Sequence, residues 1–172
     1  MAWTIRSATA ADSPALQEIE ILAGAQFRAV GFPEVADHDP FSIVERAEYA
    51  SADRSWVAVD ESDRPMGYIV VDVVDGRAHV EQVSVLPDAQ GRGLGRALMA
   101  RVDEWARMRG DEWIALTTFT NVPWNAPLYR HLGFEVLAEA EIGPELLALR
   151  ADEAAHGLDP ATRVCMQKLL DS

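Results

Sequence analysis

The sequence predicts an α+β protein built on a mixed, mostly antiparallel sheet of about seven strands flanked by helices. Three observations carry this. Apolar runs at 55–61, 66–74 and 78–86 are separated only by turn residues, which predicts an antiparallel meander. The third run passes through a glycine-rich turn into a long helical pattern and then another strand, the order of a parallel crossover. With 172 residues, 49% apolar and 25% charged, the chain is long enough to bury a core and reads as one domain over 1–172.

Taken in order, "WTIRSA" predicts a short first strand. Asp12 or Ser13 followed by Pro14 predicts a helix start, with Leu16, Ile19 and Leu22 along its apolar face. Gly, Pro and Asp make Ala29–Pro40 a loop, and a second helix is expected over Phe41–Ala50. The meander turns at "ESDRP" and again at Asp75-Gly76, a hairpin signal. In its third run His79, Glu81, Val83 and Val85 alternate against Val80, Gln82 and Ser84. The next helix, Gly93 to about Arg109, sets Leu94, Leu98, Val102 and Trp105 on one face, and Gly110 stops it. "EWIALTTF" is the fifth strand, "NAPLYRHLGF" holds a short helix ending at Gly133, and a sixth strand falls around Phe134–Ala138. Pro144 and Gly157 bracket a further helix, and "TRVCMQKLL" closes the sheet.

The formal net charge of −13 argues against a nucleic-acid binder. Five arginines (Arg92, Arg96, Arg101, Arg107, Arg109) nevertheless gather in the glycine loop and its helix, which suits an anionic ligand held there. All basic residues but Lys168 are Arg, whose GC-rich codons point to a high-GC bacterial source. No apolar run reaches eighteen residues, so no membrane span is expected. The first residues lack a basic and then an apolar stretch, and Cys165 is the single cysteine, so a cytoplasmic protein without disulfides is expected.

A Gly-rich turn between strand and helix suits phosphate, because residues without Cβ let backbone N–H groups approach oxygens and the helix start adds partial positive charge. A nucleoside-triphosphate loop needs a Lys that is missing here. A dinucleotide loop needs a final Gly where Arg96 stands, and a strand opening a βαβ unit rather than closing a hairpin. What remains is Gln-x-x-Gly-x-Gly over Gln90–Gly95.

With "VEQVSVLPDAQGRGLGRALMARVDEWARMRG" and, one strand later, "NAPLYRHLGF", the chain resembles the GNAT superfamily of acyl-CoA-dependent N-acyltransferases. Gln90, Gly93 and Gly95 fall on the first motif, and Tyr129, Leu132, Gly133 and Phe134 on the second; the resemblance spans about Ala78–Leu137. It implies a sheet splayed between two parallel strands at the coenzyme A site, and acetyl-CoA as co-substrate. It implies that Gln90, Gly91, Arg92, Gly93, Leu94, Gly95 and Arg96 hold the pyrophosphate through backbone amides. Val83, Ser84 and Val85 would hold the pantetheine arm by main-chain bonds. The family often carries Asn seven residues before the Tyr; here Val122 stands there and Asn125 lies four before Tyr129. A shorter helix capped by Asn125, with Pro127 in its first turn, is therefore expected, and Asn125 joins the implied coenzyme contacts.

Acyl transfer to an amine needs a group that takes the ammonium proton, since an alkylammonium has a pKa near about 10.4. It also needs an oxyanion donor, expected at a backbone N–H near Val83, and a proton for the leaving thiolate. Tyr129 is the candidate acid. Glu81 is the candidate base, about 7 Å along the strand from Val83, and His79 stands one step further as its relay or replacement. Cys165 reads as a small buried filler rather than a nucleophile. His38, His79, His131 and His156 lack metal-ligand spacing, so no metal is expected. For the acceptor, a small-molecule or peptide amine, Glu34, Asp37, His38 and Asp39 suit a cation. Leu146, Leu147 and Leu149 would roof that site, form a homodimer contact or enlarge the core, the last being the default. The alternative to an N-acetyltransferase is a catalytically silent acyl-CoA-binding sensor.

Overall fold

The computed structural model describes residues 2–171. Along the chain run β1 (Trp3–Ser7), α1 (Ser13–Gly24), α2 (Pro33–Ala36), α3 (Ile43–Ser51), β2 (Ser55–Asp60), β3 (Pro65–Val74) and β4 (Arg77–Val85). They are followed by α4 (Leu94–Arg109), β5 (Trp113–Phe119), α5 (Ala126–His131), β6 (Glu135–Val136), α6 (Pro144–Ala155) and β7 (Arg163–Leu169). The strands form one seven-stranded sheet in the order β1-β2-β3-β4-β5-β7-β6. β4 and β5 pair in parallel, while β1–β2, β2–β3, β5–β7 and β6–β7 are antiparallel, so the sheet is mixed and mostly antiparallel as its sequence predicts.

By their internal contacts the residues gather into two compact units. One takes the chain up to Val71 together with Gln82–Arg101; the other takes Asp72–Glu81 together with the chain from Val102 onward. The core of the first is Ala8, Leu16, Ile19, Val57, Val59, Tyr68 and Val70. In α4 the predicted stripe is buried at Leu94, Leu98 and Val102, and Gly110, at φ 84°, ends the helix in the left-handed conformation that glycine tolerates best.

One expectation changes. Ala29–Pro40 is not a plain loop: a 3-10 turn over Ala25–Val30 and the short helix α2 flank Gly31 at φ 90°. Pro33 pre-sets the helical φ at the start of α2, and a single turn is too short to reveal itself by period.

In the second unit, Leu137, Ile142, Leu146 and Cys165 form a core with Val74 and Leu149 against it, whereas Leu147 is 50% exposed. Leu146 and Leu149 thus enlarge the core. The start of α6 is fixed by the hairpin turn at Asp75 and Gly76, both at positive φ as a two-residue hairpin demands. The Asp75 carboxylate accepts from the amides of Glu145 (2.9 Å) and Leu146 (3.1 Å), and the Asp75 amide donates to the Glu145 carboxylate. A Cβ on Gly143 would collide with the Asp75 carboxylate, so Gly143 is what allows this approach. Among the described residues no helix is long and apolar enough to cross a membrane.

Candidate active site

In the first unit, β4 ends at Val85 and the chain turns through Pro87–Ala89 into the glycine loop. Gln90 shapes that loop: its Nε2 donates to the Val85 carbonyl (3.1 Å) and to Oε1 of Gln26 (3.1 Å), while its Oε1 accepts from Gln26 Nε2 (3.3 Å). Sequence reasoning missed Gln26, because nothing local links two residues 64 positions apart. Gly91 and Gly93 take φ of 78° and 84°, which explains both on backbone grounds.

Gly95 is different. Its φ is not in the left-handed region, it lies in the first turn of α4, and a Cβ there would meet nothing within 4 Å. Neither strain nor packing within the protein asks for glycine at this position, whereas a ligand pressed against the turn would. The first amides of α4 have no intrahelical acceptor, Ala97 being the first to donate back, to the Gly93 carbonyl at 3.0 Å. Gly91, Arg92, Gly93 and Arg96 are exposed, and Arg92 is tied to the Asp88 carbonyl (3.0 Å). Leu94 is buried and offers only its backbone. An exposed row of amides with open space before a helix N-terminus fits a diphosphate group.

Gly67 of β3 lets the neighbouring strand approach closely, since a Cβ would stand 3.0 Å from the Ser84 carbonyl and 3.2 Å from Val85 Cγ2. Val83, Ser84 and Val85 are half-buried. The β4–β5 ladder runs from Ala78↔Ile114 to Val80↔Leu116 and ends, so the β4 edge from Glu81 onward keeps main-chain groups free of a β5 partner.

In the second unit, His79 is 2% exposed and neither ring nitrogen has a hydrogen-bond partner among the described residues. Its Nδ1 lies 3.4 Å from Oε2 of Glu81, whose side chain is 25% exposed. This arrangement suits His79 as a relay behind Glu81 better than as a base meeting substrate itself. Tyr129 of α5 is 7% exposed and packs edge-on to Phe134 at 5.8 Å. Burial pushes its phenol up to about 12, so the proton stays on through the neutral range.

Asn125 stands just before α5, as expected, but its side chain does not cap the helix. An Asn cap accepts from the amide two or three positions on, and Pro127 occupies the first of these with no N–H. The amide Nδ2 donates instead to the Trp124 carbonyl at 3.2 Å. In the 31–39 segment, Asp37 is paired with Arg28, which neutralises part of the acidic set. Cys165 is buried, and burial pushes its thiol up, away from the thiolate a nucleophile would need.

The profile described as the acetyltransferase (GNAT) family matches residues 18–134, and the chain belongs to that family. It is 31% identical over 116 residues to peptidyl-lysine N-acetyltransferase YjaB of Escherichia coli (strain K12), covering 62% of this chain and 71% of that protein. It is 35% identical over 118 residues to streptothricin acetyltransferase of Streptomyces lavendulae, covering 65% of this chain and 59% of that one. The fold matches the ribosomal-protein-S18-alanine N-acetyltransferase of Escherichia coli with a TM-score of 0.68 at 20% identity, over 99% of this chain and 96% of that one. It also matches the PaiA N-acetyltransferase of Thermoplasma acidophilum, solved with coenzyme A, with a TM-score of 0.75 at 14% identity over 98% and 99%. The protein is an acyltransferase of this family.

Proposed function

We propose that the protein moves the acetyl group of acetyl-CoA directly to a primary amine in a ternary complex. The observation that carries the donor assignment is Gly95, a glycine that only an outside ligand explains, beside the open amides of α4. Backbone N–H groups of Gly91–Arg96 hold the diphosphate, and the free main-chain groups of Val83–Val85 orient the arm that bears the thioester. The thioester supplies an activated acetyl carbon.

Glu81, backed by His79, takes the proton of the incoming ammonium, directly or through water. The amine nitrogen bonds to the acetyl carbon, a backbone N–H near Val83 steadies the oxyanion, and the carbon–sulfur bond breaks. Tyr129 gives its proton to the departing thiolate, and its buried phenol is kept protonated for that purpose. No covalent enzyme intermediate enters this path. A panel of primary amines incubated with acetyl-CoA, reading coenzyme A thiol release, tests the proposal. Release with at least one amine is expected; tight acetyl-CoA binding without release from any would favour a sensor.

A further inference from the structure

The first unit buries a charged cluster that the reading above does not use. Arg46 of α3 is 2% exposed, and its Nη2 donates to Glu20 of α1. The guanidinium carbon lies 4.9 Å from the ring centre of Tyr68 and 5.8 Å from that of Phe41. Glu20 Oε1 accepts from Gln82 Nε2 (2.9 Å) and Glu20 Oε2 from the Phe41 amide (3.0 Å). Arg46 Nε and Nη1, and Gln82 Oε1, are buried without a hydrogen-bond partner among the described residues. The Tyr68 hydroxyl lies beside Ser84 and Arg46 but forms no well-aligned bond.

A buried guanidinium is costly, and more so when its donors go unused. One carboxylate and two aromatic faces offset part of that cost and leave Nε and Nη1 in want of oxygen. Because Glu20 and Arg46 already neutralise each other, a free anion would bring an uncompensated charge, and a simple amine would leave both donors unused. A zwitterion does neither. Its carboxylate answers Arg46 and the Tyr68 hydroxyl, and its ammonium answers Glu20 and Gln82 Oε1. Gln82 directly precedes Val83, and both Gln82 and Glu20 are partly exposed, so a ligand enters past them.

Building on the N-acetyltransferase reading, we propose that the Glu20–Arg46–Tyr68–Gln82 cluster selects a free α-amino acid as the acceptor. The test is calorimetric binding of the standard L-amino acids to the coenzyme A-loaded protein, each beside the amine that its decarboxylation would leave. At least one amino acid is expected to bind about 30-fold more tightly than its amine twin, the scale of charge-assisted hydrogen bonds. Arg46→Met should erase that difference while leaving coenzyme A affinity unchanged. Should Arg46→Met not fold, Tyr68→Phe should narrow the difference about threefold or more. Equal affinity within every pair, or a variant that weakens both members alike, would overturn the proposal. Thiol release read in the same samples separates the two readings. An amino acid bound without release refutes transfer and keeps recognition; release from amine twins with no amino acid preferred refutes recognition and keeps transfer.

Discussion

Tyr129 has the surroundings of an acid rather than of a surface phenol. Burial holds its ionisation near about 12, so the rate should show no falling limb near pH 10, where an ordinary tyrosine ionises. Tyr129→Phe should lower kcat about 100-fold with coenzyme A affinity within about twofold of wild type; an unchanged kcat would remove its role. For Glu81, the rising limb of kcat/KM with pH should disappear in Glu81→Gln, together with about 100-fold of rate, as a pH–rate series would record. The alternation of the third strand run made Glu81 and His79 legible as neighbours on one face. What it left hidden was burial: the same spacing gives a half-exposed carboxylate and a sealed imidazole. Arg46 was likewise out of reach, since a single Arg in a polar helix gives no sign of being buried between two rings.

At the scale of elements, α4 and the strands were readable because their periods of 3.6 and 2 run long enough to be counted. The 3-10 turn at Ala25–Val30 and helix α2 were not, being single turns. Nor was the missing cap at Asn125, where Pro127 withdraws the needed amide. Gly95→Ala separates stability from binding. Replacing a helical glycine over open space should raise stability by about 0.5 kcal/mol in urea unfolding, while coenzyme A affinity drops about 10-fold. A loss of stability or an unchanged affinity would mean that the glycine serves the protein and not a ligand. At the other end of the chain, Asp75→Ala should cost about 1–2 kcal/mol and speed hydrogen exchange in the first turn of α6, because it removes a cap supplied from a distant turn.

For the molecule as a whole, stability against pH is set by partnered and buried groups rather than by the excess of 28 acidic over 15 basic residues alone. The Arg6 guanidinium, bonded to Asp12 at 2.8 and 2.9 Å, holds that carboxyl below the usual range, and the Thr9 amide adds to it. Stability from Asp12 is therefore present above the ordinary carboxylate pKa of about 3.9 and lost as pH falls through the lowered value. Burial raises Tyr68 and Tyr129, so the unfolded chain ionises first, near about 10, and stability declines above it. Urea unfolding across pH should give a plateau with a loss on each side, and Asp12→Ala should lower the plateau and flatten the acid limb. A uniform loss at every pH would contradict the pairing. Folding order follows from the Asp75 clasp as well. Its hydrogen bonds join residues 70 and 71 apart, so helix α6 gains its cap only once a long loop has closed. Contacts made that late add little to the speed of folding and much to the barrier against coming undone. The clasp is a latch: α6 is among the last elements to settle, and it slows the chain's release.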